Sequence, residues 1–421
     1  MNPPPMASPV LEAPVVTGGV RESGSGRRAV GTTLGSALVA AVAYIDPGNF
    51  ATNVSAGARF GTLLVWVVVA ASAVGMLVQY LSAKLGLVTG RSLPEQCREH
   101  LSFPARIAMW LQAELVVIAT DLAEVVGGAI ALNLLFGVPL VLGAVIMVLA
   151  AFGILALHVR GRDAFRPVVY LCFALVTAGF AYQALRSGLG GAELASGFRP
   201  RLQGVDSAYL AAGIVGATVM PHVVYLHSHL TKGEAVISRR AMPRLIRITR
   251  REIIGAMLLA AAVNISIMLA ATVLGPDEAD SLETAHAGFA AITGEFSSWV
   301  FASALLASSL ASTCVGVYSG QTIMSGFLHR SVSIWLRRCV SVAPALIILV
   351  LGVDPTAALV LSQVCLSFGI PFALAPLVWF TSRRAIMGDA RNRPVTVVVA
   401  GIVLGAIVAL NVFLLVTLFA G

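Results

Sequence analysis

This chain is short of charge. Only 11% of its 421 residues are Asp, Glu, Lys or Arg, whereas a soluble domain carries about a quarter. So few charges, with 58% hydrophobic residues and a mean hydropathy of +0.89, exclude an ordinary water-soluble domain. Cysteine is scarce too: Cys97, Cys172, Cys314, Cys339 and Cys365 are scattered, mostly inside apolar runs, and never in C-x-x-C spacing. A disulfide framework and a zinc site are therefore not expected. Hydrolytic signatures such as H-E-x-x-H and G-x-S-x-G are missing, which speaks against an intramembrane enzyme. The net charge of +8 comes with no basic stripe interleaved with aromatics, so nucleic acid is not an expected partner. Nor does any feature call for an obligate protein partner or a bound cofactor.

What is present is one apolar run after another. Runs of about 20 residues, enough to cross about 30 Å of hydrocarbon as helices, begin near residues 31, 62, 106, 140, 167, 208, 252, 297, 334, 356 and 395. They predict an all-α polytopic bundle of eleven spans in a lipid bilayer. Residues 1–28, rich in Pro, Gly and Ser without a hydrophobic period, read as a disordered tail, and no signal-peptide pattern precedes the first apolar run. If that tail is cytosolic, the inside connections and helix ends collect 24 of the 28 basic residues, leaving Arg59, Arg186, Arg199 and Arg201 outside. The connection after Pro276 is acidic, with Asp277, Glu278, Asp280 and Glu283. By the positive-inside rule the N-terminus is cytosolic and the C-terminus outside.

Two spans break their own pattern. The first contains "AYIDPGNFATN", residues 43–53. Pro47 removes a backbone donor and Gly48 favours non-helical dihedrals, so the helix is expected to open there. Unwound backbone at membrane depth is tolerated only against protein or a polar cavity, and a carboxylate in such a place marks an ion or proton path. A proline kink capped by Asp46 is the plainer alternative. The sixth span repeats the interruption in "GATVMPHVVYLHS", residues 216–228, at Pro221. Breaks in spans one and six, five spans apart and entering from opposite sides, are the arrangement of an inverted repeat with its site at the interface. Asp46, Asn49, carbonyls near Ala43 and Ala217, and the Met220 thioether would together offer hard and soft donors, a set suited to a first-row transition ion over Ca²⁺ or Mg²⁺. Met220 alone could equally be core filler.

These residues carry a family resemblance. "DPGNFATN" and "GATVMPH", supported by "QAELVVIATDLAE" in span three and "LVLSQVCLSFGIPFALAPL" in span ten, resemble the signatures of the Nramp family (natural resistance-associated macrophage proteins), of its eleven-span bacterial type. The resemblance runs from about Gly31 to the end. It implies a LeuT-like fold of 5+5 inverted-repeat helices plus an eleventh: a first repeat over 29–186, a second over 207–382 and the last helix over 394–419. It implies a proton-coupled importer of Mn²⁺ and Fe²⁺, with Cd²⁺ and Co²⁺ as further cargo, in a bacterial inner membrane. By position it makes Asp46, Asn49 and Met220 side-chain ligands, Ala43 and Ala217 carbonyl ligands, and Gln363 a ligand in some conformations.

Span three carries Glu114, Asp121 and Glu124, whose spacings of seven and ten residues set all three on one helix face. Such carboxylates need cationic or protonatable partners, and Arg337, Arg338 and His222 are the candidates. Carboxylates and imidazoles in a chain can pass protons, and the resemblance places Asp121, Glu124 and His222 on a proton route. Fastening between helices is the alternative, above all for Glu114. His227 and His229 are expected at the membrane interface, and Asn133, Asn264 and Asn411 in packing roles. A sodium-coupled amino-acid symporter of the same architecture is the competing function. It would want a glycine-rich opening for a substrate carboxylate, which Asp46 opposes.

Overall fold

The computed structural model describes residues 37, 40–159, 165–186, 188, 191–233, 241–276, 281–328 and 333–420. The tail over 1–28 lies outside them, as do Asp277, Glu278 and Asp280 of the acidic connection. Among the described residues there are helices and no strands. The first span is helical at 40–43, turns through Tyr44–Asp46, and resumes as α1 (Pro47–Phe60). There follow α2 (Val65–Thr89), α3 (Leu93–His100), α4 (Phe103–Phe136), α5 (Leu140–Val159), α6 (Phe165–Arg186), α7 (Gly191–Ser196), α8 (Gly204–Thr218), α9 (Pro221–Lys232) and α10 (Met242–Ala271). Then come α11 (Leu282–Thr293), α12 (Glu295–Leu328), α13 (Ile334–Val350), α14 (Pro355–Ser382), α15 (Arg384–Met387) and α16 (Pro394–Ala420).

Each expected span has its helix, and the short α3, α7 and α11 lie in the connections. The main departure in register is α10. It starts at Met242, not near 252, because the arginine-rich turns from Arg244 to Arg251 are helical as well. An apolar run marks only the part of a helix in lipid, and a polar face can carry the helix beyond it. The 34 residues of α4 would reach about 51 Å at 1.5 Å per residue, so this helix tilts or extends past the hydrocarbon.

Burial sorts the helices by depth. The most apolar window of the broken span α8–α9 is 89% buried, whereas that of α16 is only 22% buried. The interrupted helices are thus central and the last helix is peripheral, as unwound backbone in a membrane requires. Glycines on neighbouring helices make room for the breaks. A Cβ on Gly127 of α4 would overlap the Pro47 ring, and one on Gly48 would overlap the Gln363 amide of α14. A Cβ on Gly216, just before the second break, would meet the Gln363 backbone carbonyl. Gln363 is wedged between the two interrupted helices.

Several expectations about charge and polarity are corrected by packing. Lys84, counted as an inside charge, lies within α2 and is buried. His227, expected at the interface, is fully buried. The short helix α3 covers the end of α9, with Leu93 N–H donating to Ser228 Oγ at 2.9 Å and Lys232 pairing with Glu95 at 2.7 Å. Asn411 has the packing role expected of it, exchanging hydrogen bonds with Ser367 between α16 and α14.

Candidate functional site

The first break is organised by Asp46. It caps α1, with extended backbone, and its Oδ1 accepts from the Asn49 backbone N–H at 2.9 Å and from the Asn49 side-chain amide at 2.8 Å. Its Oδ2 is buried without a hydrogen-bond partner. The Ala43 carbonyl would accept from residue 47 in a continuous helix, but Pro47 has no N–H to give. The same loss recurs at the second break: Ala217 stands four residues before Pro221. Here Asn49 supplies the missing donor, its Nδ2 reaching the Ala217 carbonyl at 3.0 Å. Thr218 Oγ1 donates to Asn49 Oδ1 at 3.4 Å. Asp46, Asn49 and Ala217 thus converge across 168 residues of sequence separation.

Met220 is the N-cap of α9 and is buried. Gln363, fully buried over Gly48, donates from Nε2 to Ser362 Oγ at 3.0 Å and leaves its Oε1 unpartnered. Two carboxamide or carboxylate oxygens, Asp46 Oδ2 and Gln363 Oε1, therefore sit at the breaks with no donor. Leaving such groups buried costs about 1–3 kcal/mol each, more for a charge, unless something positive fills the need.

The carbonyls between the half-helices are held by side chains that the sequence reading left out or gave a bland role. Asn264 donates to the Tyr44 carbonyl at 2.9 Å and accepts from Asn53 at 3.3 Å, and Ser308 donates to the Ile45 carbonyl at 2.5 Å. Gln79 donates to the Tyr44 hydroxyl at 2.6 Å and meets His227 Nδ1 at 2.7 Å. The available signal was polarity itself: a Gln or Asn inside an apolar span needs a partner.

The carboxylate face of α4 leads toward the break. Glu114, Asp121 and Glu124 do share a side, and Gly127, one turn beyond Glu124, lies under Pro47. Asp121 Oδ1 accepts from Arg338 Nη1, and Arg338 Nη2 is 3.7 Å from Glu124 Oε2. A Cβ on Gly316 of α12 would lie 2.8 Å from Glu124 and 3.1 Å from Asp121, so both carboxylates rest on that glycine. One turn on, Gly320 accommodates the Arg337 guanidinium. Asp121 Oδ2 and both Glu124 oxygens lack hydrogen-bond donors. Glu114 differs, because Oε1 accepts from Trp110 at 3.2 Å and Oε2 from Arg337 at 3.2 Å. His222 is buried, its Nδ1 3.3 Å from Thr120 Oγ1, so it faces the same side of α4.

The chain is similar to known proteins over most of its length. The profile of the family described as natural resistance-associated macrophage protein-like matches residues 37–417. A protein of Deinococcus radiodurans named divalent metal cation transporter MntH is 44% identical over 393 residues, covering 92% of this chain and 90% of its own. A Mycobacterium leprae protein of the same name is 47% identical over 389 residues, covering 91% of each. Among solved structures, the Eremococcus coleocola manganese transporter superposes with a TM-score of 0.81 at 30% identity, over 94% of this chain and 88% of that one. The nucleobase-cation symporter Mhp1 shares the fold alone, at a TM-score of 0.58 and 15% identity over 91% of both chains. The LeuT-like architecture, the paired breaks and the matched sequence lead to one assignment: the chain belongs to the Nramp family of multi-pass membrane transporters.

Proposed function

We propose that the chain is a proton-coupled importer of divalent transition-metal ions, Mn²⁺ and Fe²⁺ with Cd²⁺ and Co²⁺ as further cargo, working by alternating access between its two repeats. Metal-ion transport follows from the family and from the names of its relatives; the ions, the proton and the residues are our reading. One observation carries it. Asp46 and Asn49 at one broken helix and the Ala217 carbonyl at the other converge in the buried centre, where Asp46 Oδ2 has no donor. A divalent cation supplies the missing positive charge. Asp46 is its electrostatic anchor, Asn49 and the Ala43 and Ala217 carbonyls are neutral oxygen ligands, Met220 is the soft donor, and Gln363 joins through its unpartnered oxygen. Asn49 now donates to two of these oxygens, so cargo releases it and its own carbonyl can turn to the ion.

Protons take the side of α4. Asp46 or His222 receives one beside the cargo site, and Glu124 and Asp121 carry it away along the helix, next to the fixed positive charge of Arg338. The carboxylate oxygens without donors on Glu124 and Asp121 have free lone pairs for a proton, whereas each Glu114 oxygen already has a donor, Trp110 or Arg337. We assign Glu114 and Arg337 to holding α4 against α13 at the end of that route. The repeats divide at 29–186 and 207–382, with 394–419 as an added helix. The N-terminus is cytosolic, the C-terminus outside and the location a bacterial inner membrane, in keeping with the placement of basic residues. The amino-acid symporter alternative is disfavoured by Asp46, whose carboxylate occupies the opening where a substrate carboxylate would bind. Uptake by proteoliposomes across a panel of divalent ions, with internal pH recorded, tests the reading. Transition-metal uptake with acidification supports it, and sodium-driven amino-acid uptake would replace it.

A further inference from the structure

The last helix leaves a groove where it meets the bundle. Between the C-terminal half of α14 and the N-terminal half of α16 there is room for about 390 Å³, walled by Ala375, Gly401 and Leu404, with Trp379, Ser382 and Arg383 at one end. From Ala375 to Arg383 the groove follows α14 for about 12 Å at 1.5 Å per residue. Arg383 directly follows the last residue of α14, so the polar end lies at the membrane border and the rest runs into the apolar layer. The surroundings face lipid, since Val398 and Ile402 of α16 are 60% and 67% exposed.

Two features make this more than a gap between small residues. The Arg383 guanidinium stacks on the Trp379 ring, 4.4 Å from its centroid, and among the described residues no carboxylate pairs with it. A guanidinium held over the ring still has N–H groups to offer a planar or tetrahedral anion. Arg383 also opens a connection with three more arginines, Arg384, Arg391 and Arg393, against the single acid Asp389. Positive charge at the border with an apolar slot below it is complementary to a negatively charged lipid. A second copy docked here would bring its own arginine-rich connection against this one, and like charges would oppose it.

We propose that this groove is a binding site for one anionic phospholipid, with an acyl chain along Gly401 and the phosphate on Arg383. A Cβ on Gly401 would meet nothing within 4 Å, so a larger side chain there can fill the groove without displacing the protein. The full-length chain, purified in mild detergent and exposed to equal phosphatidylglycerol and phosphatidylcholine, is read by native mass spectrometry, with oligomeric state measured alongside. Wild type is expected to retain phosphatidylglycerol in preference. Arg383→Gln should lower that preference about fivefold, the effect of one basic residue near the membrane surface, while chain binding persists. Gly401→Phe should lose lipid of both kinds without loss of thermal stability. Unchanged lipid retention in Gly401→Phe, or equal headgroup preference in wild type and Arg383→Gln, would overturn the proposal. A Gly401→Phe variant that turns a dimer into a monomer would assign the groove to a second copy instead.

Discussion

Asn49 donates its side-chain amide to the Ala217 carbonyl at 3.0 Å, doing for the sixth span what the ring nitrogen of Pro221 cannot. The two breaks are thereby a single object. Each proline strands the carbonyl four residues before it, and the polar residue after the first proline reaches across to the second. Since Asn49 is itself bound to Asp46 at 2.8 Å, the carboxylate, the amide and the stranded carbonyl form one hydrogen-bonded chain across the two breaks.

From this follows the first expectation, that Asp46→Ala abolishes Mn²⁺ uptake in a protein that still folds. The cap on α1 is lost, at about 1 kcal/mol, but Pro47 and Gly48 still open the helix. Uptake by reconstituted mutant and wild type, with size-exclusion profiles to certify folding, decides it. Near-normal transport by a folded mutant would remove Asp46 from the site.

The α4 carboxylates should divide by function as they divide in hydrogen bonding. Asp121→Asn keeps the size of the side chain but cannot release a proton, so metal-stimulated acidification of the vesicle interior should fall far more than metal binding. Glu114→Gln should leave coupling intact and lower only thermal stability, because it weakens a pair with Arg337. Equal loss of coupling in both variants would mean that Glu114 belongs to the route.

How much of this was legible in the chain depends on how local the cause was. Pro47, Gly48 and Pro221 alter backbone by themselves, so the breaks, and Asp46 and Asn49 with them, could be read directly. The face of α4 followed from helical spacing. The contacts of Gln79 with Tyr44 and His227 join residues far apart in sequence, and no periodicity announces such a partner. His227 departs from its expected place because it lies near the end of an apolar run, where α3 covers what would otherwise be interface.

That α3 cover should be sensitive to acid. Burial alone would raise the Glu95 pKa, but hydrogen bonds from Lys232 and the Ser92 backbone, with the Lys232 charge, hold it below the ordinary glutamate value. A carboxyl depressed on folding contributes stability that is present above its unfolded pKa and lost as pH falls through the folded value. Wild type should therefore lose thermal stability relative to Glu95→Gln as pH drops below about 4.5. Melting curves of both proteins across that range test it, and parallel curves would show that the Glu95–Lys232 pair contributes nothing.

Met220 is expected to work by excluding the wrong ions more than by attracting the right one. A thioether is an acceptable donor to Mn²⁺, Fe²⁺ or Cd²⁺ and a poor substitute for oxygen around Ca²⁺ or Mg²⁺, so its penalty falls on the abundant hard ions. Met220 stands at the N-cap position of α9 at the second break and its side chain is buried, which leaves a water-sized space when it is cut back. In Met220→Ala an oxygen of water can fill that place. Mn²⁺ transport should then persist, Cd²⁺ affinity should weaken, and Ca²⁺ should begin to compete or cross. Uptake of the three ions side by side in one lipid gives the answer: unchanged discrimination against Ca²⁺ would make Met220 core filler and move selectivity to Asn49, Gln363 or the size of the cavity.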